Sequence, residues 1–483
     1  MVARDDSATQ VGRALRVKRH VIIPLIVACA LFMQNLDSTS LATALPTIAA
    51  SFGESPLRLH LAITAYLLAV AAFLPMSGWV ADKYGARIVF RASIVIFTLS
   101  SIACGLAQDF NQLIIARIFQ GFGGALMVPV GRLILVRSVP KAELVSAMAV
   151  MGIPSVIGPI MGPLLGGLIT TYSHWRGIFW INVPVGILGF FLAGKFIENM
   201  REEEMKPFDW TGFALTGFGL AATVFGLDTA FAKNKPDAIG LGLLGAGLIA
   251  LAIYVIYARR VSNPIIDLSL MRLPTFRASV TGGSVFRIGV GAIPFLLPLL
   301  MQEGFGYSPV ESGAITFLSA AGSLGMRTLS KRVLRHFGYR PVLIWNGLIA
   351  SFFMGICALF DAAMPVWIMM AIIFWGGVSR SLEFTALNSI AFAEVERAEM
   401  SHAMSFSQLA QRLSLTMGVA FSAIILHQVA DDASPLPVSA FSTAFAVIGI
   451  VSATSIFSFW TLHAEAGAVL AGRKVEETDS PED

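Results

Sequence analysis

Asp37, Arg117, Arg287, Arg380, Glu383 and Arg412 are ionisable residues set inside long apolar stretches of the chain. A charge in such surroundings is expensive, so each must face an opposite charge or an interior aqueous path. With about 20 apolar residues to a membrane crossing, Asp37 and Arg117 each lie about seven residues from the same end of their respective stretches. Equal depth makes them partners. Two chemistries are open to the pair: a carboxylate whose proton affinity changes as Arg117 approaches or withdraws, or a fixed structural ion pair. The second set lies near mid-depth. Arg380 and Glu383 are three apart and Gln408 and Arg412 four apart, so each couple shares a helix face. With Arg287 they form either a polar substrate or proton site at the midplane, where transporters bind their cargo, or an interhelical charge network. Three arginines against one glutamate leave a positive surplus, which in a cavity favours neutral or anionic compounds over polycations.

The elements that must position these residues are membrane helices. Apolar residues make up 56% of the chain and charged residues 13%, and the mean hydropathy is +0.74, whereas a soluble domain carries about 25% charged residues. The composition predicts an all-α polytopic membrane protein. Fourteen spans are expected, over residues 20–44, 58–80, 88–107, 110–136, 142–170, 177–197, 208–229, 237–257, 276–300, 309–330, 339–360, 364–392, 399–428 and 436–462. An even number puts both termini on one side. Alternate loops hold nearly all the Lys and Arg, from Lys83, Arg87 and Arg91 to Arg327, Lys331, Arg332, Arg335 and Arg340. The other set holds only Arg58, Arg176, Lys233 and Lys235. The positive-inside rule then makes both termini cytoplasmic. The basic start (Arg13, Arg16, Lys18, Arg19) leads into the first span without a small-residue cleavage site, so that span is expected to be retained.

Residues 152–168 read GIPSVIGPIMGPLLGGL. Gly158, Gly162 and Gly166 recur every fourth residue, with Gly152 before them and Gly167 beside the last. Pro154, Pro159 and Pro163 each remove a backbone donor. In water this would fail as a helix; in lipid a bare glycine face lets a neighbouring helix approach closely. A bendable, closely packed helix is expected.

A weak internal repeat sets the organisation. GWVADKYGAR (Gly78 to Arg87) lies between spans two and three, and KRVLRHFGYR (Lys331 to Arg340) between spans ten and eleven. Gly338 and Arg340 stand where Gly85 and Arg87 do, at equivalent turns of two six-helix halves if spans seven and eight are an insertion. The expected divisions are a cytoplasmic segment 1–19, a six-helix bundle 20–197, a linker with two inserted helices 198–258, a second six-helix bundle 259–462 and a cytoplasmic tail 463–483.

The chain resembles the major facilitator superfamily, and its layout is similar to the fourteen-span drug/proton antiporter branch. The resemblance rests on LDSTSLATALP (Leu36 to Pro46), the Gly78–Arg87 loop, RIFQGFGGA (Arg117 to Ala125), the Gly/Pro run, and WRGIFWINVPVG (Trp175 to Gly186), in order along the chain. It implies the major facilitator fold and proton coupling through Asp37 and Arg117; Glu383, from its place in the second charged set, is a further candidate proton site. It also implies that the loop with Gly78, Asp82, Gly85 and Arg87 acts as a conformational latch; from the residues, Gly85 makes the tight turn and Asp82 either caps a helix end or pairs with a base of a neighbouring helix in one state. Ala86 replaces a usual basic residue, which weakens that relay; an ordinary solvated turn is the plainer reading. The Gly/Pro run matches the antiporter motif.

Other classes find little support. No GxxxxGK[ST] loop is present to cradle ATP, and no HExxH or Cys/His cluster to bind a metal. Cys29, Cys104 and Cys357 all fall in apolar spans and read as small packing residues. Asp431 and Asp432 read as a solvated loop, and Asp228 as a solvated helix end. The expected function is proton-driven export of small amphipathic molecules across the cytoplasmic (inner) membrane by alternating access. The only energy source implied is the proton gradient, without cofactor or nucleic acid, and the expected state is a monomer with or without a periplasmic adaptor. A specific metabolite transporter and a non-transporting sensor are the alternatives.

Overall fold

The structure, a computed structural model, describes residues 6–140, 143–202, 207–231, 237–396, 399–430 and 436–472. The charges expected at Lys141, Lys206, Lys233, Lys235, Arg397, Arg473 and Lys474, the loop pair Asp431/Asp432 and the end of the tail lie outside the described residues.

Among the described residues there is no strand. Fourteen long helical segments stand at the positions of the expected spans. They are α1 (Asp6–Phe52), α2 (His60–Tyr84), α3 (Ala86–Leu106), α4 (Phe110–Ser138), α5 (Leu144–Tyr172), α6 (Gly177–Phe196) and α7 (Trp210–Phe231), followed by α8 (Ala238–Ala258), α9 (Pro274–Gly304), α10 (Pro309–Phe337), α11 (Tyr339–Leu359), α12 (Val366–Ile390), α13 (Met400–Ala430) and α14 (Val438–Trp460). Thirteen are long and apolar enough to cross a membrane by length and composition. The other, α10, has 29 residues but carries Glu311, Arg327, Lys331, Arg332 and Arg335 and falls short of that measure. The protein is a multi-pass membrane protein.

Local chemistry explains several boundaries. Helix α1 runs beyond its expected ends and stops at Gly53, whose φ of 68° only glycine adopts readily. Asp109 caps α4 by accepting from the Gln112 N–H at 2.9 Å. At α10, Ser308 and Glu311 form a reciprocal capping box. Pro154, Pro159 and Pro163 all lie inside the continuous helix α5.

The chain forms two compact units, Met1–Glu54 with Leu61–Phe208 and Ser55–His60 with Asp209–Asp483. In the first, α1 packs along α5, and α3 packs on α4 and α6. The second contains both α7 and α8, which pack along one another, together with the pairs α9–α13, α10–α12 and α11–α14. Glycines set several of these approaches. A Cβ added at Gly158 would stand 2.9 Å from the Asn35 Cβ of α1, one at Gly162 would collide with Thr39, and one at Gly166 would stand 2.5 Å from the Ser40 carbonyl oxygen. The glycine face of α5 therefore lies on the stretch of α1 that carries Asp37. A Cβ at Gly152 would meet nothing within 4 Å, so close packing begins only deeper in the helix. Pro159 and Pro163 are half-buried, and Gly167 is buried.

Candidate functional site

Helices α1, α4 and α6 of the first unit meet at one carboxylate, with α2 and α3 holding its partners. Asp37 of α1 is 1% exposed and Arg117 of α4 has no exposed surface. Arg117 Nη1 donates to Asp37 Oδ2 at 2.5 Å and to Gln120 Oε1 at 2.7 Å. Gln120, one turn further along α4, donates from Nε2 to Asp37 Oδ1 at 2.8 Å. Asn182 of α6 donates to the same oxygen at 3.2 Å and to Ser101 Oγ of α3 at 2.9 Å. The Arg117 Nε–H is taken by the Ala62 carbonyl at 3.0 Å, and the guanidinium lies 4.3 Å from the centroid of the Tyr66 ring. Asp37 thus accepts from three side chains in a buried site.

Sequence reasoning paired Asp37 with Arg117 and missed Gln120, Asn182, Ser101 and Tyr66. Gln120 had a signal, since it sits three residues from Arg117 on the same helix face. Asn182 lies within the WRGIFWINVPVG segment, whose role as a ligand of the carboxylate the sequence did not disclose.

Burial makes the charge balance of this pair matter. Ionised Asp37 balances Arg117; a protonated Asp37 would leave the cation buried without compensation, a costly state. The relief is to separate the two groups or admit water. Arg117 Nη2 and Asn182 Oδ1 have no hydrogen-bond partner among the described residues, so a donor and an acceptor stand ready for a rearranged network.

Asp82, in the last turn of α2, forms an ion pair with Arg137 of α4 at 3.0 Å, and the same Arg137 nitrogen reaches Glu202 at 2.7 Å. Backbone bonds close the turn between α2 and α3 onto the segment after α6, from Ala86 N to the Met200 carbonyl and from Glu202 N to the Asp82 carbonyl. Gly85 has a φ of 95°, and a Cβ there would collide with the Asn199 side chain. Asp82 therefore has a base of a neighbouring helix for its partner. Arg87 is half-buried and makes no ion pair among the described residues, and Gly78 is exposed with open space beside it.

The charged set of the second unit does not form one cluster through direct bonds. Glu383 of α12, fully buried, accepts from Asn346 Nδ2 of α11 at 2.9 Å. Arg380 of the same helix instead reaches Ser319 of α10. Arg287 of α9, 1% exposed, donates to Asn388 Oδ1 at 3.0 Å, with Phe384 beside its guanidinium. Among the described residues no carboxylate is bonded to Arg287 or Arg380. Gln408 and Arg412 of α13 are half-buried. One expectation is overturned: Asp228 is not a solvated helix end but 8% exposed, bonded to His60 at 2.7 Å.

The profile described as Major Facilitator Superfamily matches residues 27–419 and 279–479. A Serratia proteamaculans protein named as multidrug resistance protein MdtD is 37% identical over 439 residues, covering 90% of this chain and 92% of the relative. The protein of that name from Pectobacterium atrosepticum is 37% identical over 401 residues, covering 83% and 86%. Among solved structures, a D-xylose-proton symporter aligns with a TM-score of 0.64 at 14% identity, over 91% of this chain and 97% of that one. A point mutant of the nucleoside transporter NupG aligns with a TM-score of 0.60 at 15% identity, over 91% and 99%. At such identities the two structures speak for the fold alone.

Proposed function

Because the chain belongs to the major facilitator superfamily, we propose that it is a proton-coupled antiporter that exports small amphipathic molecules across the cytoplasmic membrane by alternating access. The observation that carries the coupling is the Asp37 carboxylate, buried against Arg117 and held by Gln120 and Asn182. The names of the relatives support export of more than one compound.

Protons entering from outside neutralise Asp37, and Glu383 is a second proton site. A coupled carboxylate must bind its proton with different affinity in the two states; the Arg117 bond supplies that difference if it exists in only one. The topology in this reading has fourteen spans, with α10 the least apolar, both termini cytoplasmic, and α7 and α8 inserted between two six-helix bundles. Asp82 and Arg137 latch one conformation. Arg287, Arg380, Gln408 and Arg412 contact substrate, and the lack of a bonded carboxylate at Arg287 and Arg380 favours neutral or anionic compounds. No cofactor is needed beyond the proton gradient. The protein works as a monomer, with or without a periplasmic adaptor.

The test is transport by proteoliposomes. With an imposed pH gradient, a panel of neutral, anionic and cationic amphipaths should include compounds that move against their own gradient and stop when an ionophore collapses the pH difference. Movement that persists without the gradient would exclude proton coupling, and no movement of any compound would favour a sensor.

A further inference from the structure

His60 and Asp228 make a buried pair to which the coupling at Asp37 assigns no role. His60 opens α2 and is 2% exposed; Asp228 lies in the last turn of α7. The imidazole Nδ1 is 2.5 Å from the Leu57 carbonyl oxygen, and Nε2 is 2.7 Å from Asp228 Oδ1. The Phe295 ring of α9 packs edge-on at 6.0 Å between centroids.

These distances constrain the protons. A carbonyl oxygen only accepts, so the hydrogen in the first bond belongs to Nδ1. A neutral imidazole protonated there has a bare Nε2. Opposite an ionised carboxylate, that nitrogen would set lone pair against lone pair at hydrogen-bonding distance. The contact needs one more proton, present either as imidazolium beside carboxylate or as neutral imidazole accepting from a carboxylic acid. In both forms the pair holds one proton beyond a neutral histidine and an ionised aspartate.

We propose that His60 and Asp228 form a proton-binding site, in which one proton shared between Nε2 and Oδ1 ties α7 to the Ser55–His60 segment. Its ligand is a proton delivered by hydronium, which leaves water behind. Losing that proton replaces an attractive contact with a repulsive one and loosens the end of α7, which gives that helix a proton-dependent attachment. The titratable and charged groups on the elements packed here are Glu54 and Arg58 in the α1–α2 connection, Arg277, Arg287 and Glu303 on α9, Asp237 before α8 with Tyr254 and Tyr257 on it, and His402, Arg412 and His427 on α13. Among the described residues none of these bonds to His60 or Asp228. Only the side from which the proton arrives, the outer one, rests on the topology proposed above.

The full chain in nanodiscs, labelled with nitrogen-15 in its seven histidines, tests the site by NMR near pH 7, with infrared spectra reporting protonated carboxyl groups. His60 is assigned by the signal missing from His60→Gln or, should that variant not fold, from His60→Asn. The expected result is either both ring nitrogens of His60 protonated, or Nδ1 alone protonated with a carboxylic acid band that Asp228→Asn removes. In Asp228→Asn the amide N–H donates to Nε2 without an added proton, so His60 becomes singly protonated and titration takes up one proton fewer per chain. A singly protonated His60 beside an ionised Asp228 in the unaltered protein would overturn the site. The readout needs neither substrate nor transport, so its failure is distinct from failure of the export reading.

Discussion

Arg117 donates to Asp37 across 2.5 Å at a place where neither side chain has any exposed surface. Such a pair is asymmetric under mutation, because removing one partner strands the other. Arg117→Ala should lower stability in detergent by ~3–5 kcal/mol, whereas pairing it with Asp37→Asn should recover much of that loss. A thermal-unfolding double-mutant cycle checks this; additive losses would mean that the pair is not coupled.

Asn182 and Gln120 hold the second oxygen of Asp37 at 3.2 and 2.8 Å. If they position a proton-accepting carboxylate, Asn182→Leu and Gln120→Leu should shift the pH dependence of transport, because each removes a donor that stabilises the ionised form. Transport rates across pH 5 to 9, at equal protein in the membrane, measure it. A uniform loss of rate with no shift would leave both residues merely structural.

The glycines of α5 differ in what surrounds them. Gly158→Leu and Gly166→Leu should each destabilise the protein by about 1–3 kcal/mol through overpacking against α1. Gly152→Ala meets open space and should leave the melting temperature unchanged or raise it. Equal sensitivity at all three positions would contradict the packing of α5 on α1.

Arg137 is 24% exposed where it bridges Asp82 and Glu202. A partly solvated pair of this kind is worth about 1 kcal/mol or less, so Arg137→Ala should barely change the melting temperature. Transport should fall severalfold if the bridge latches one conformation. An unchanged rate would reduce the turn to a solvated connection.

How far the sequence foretells this arrangement varies with distance along the chain. The helix positions were legible because apolar runs of membrane length are a strong signal, and the Asp37–Arg117 partnership because two lone charges at equal depth must find each other. Charged α10 was expected as a span, yet its composition alone does not qualify it. Arg380 and Glu383, read as one face, reach α10 and α11 respectively. At about 100° per residue, positions three apart still diverge by about 60°, enough for two long side chains to meet different neighbours. The burial of Asp228 had no local signal, since its partner His60 lies 168 residues away and only the folded second unit brings them together.

Proton flux in proteoliposomes carrying an internal pH dye tests the central claim most directly. Addition of a transported compound should drive proton movement in the unaltered protein, and Asp37→Asn, inserted in the membrane at the same level, should abolish it. Substrate-driven proton flux that is undiminished in Asp37→Asn would contradict the assignment of Asp37 as the coupling carboxylate.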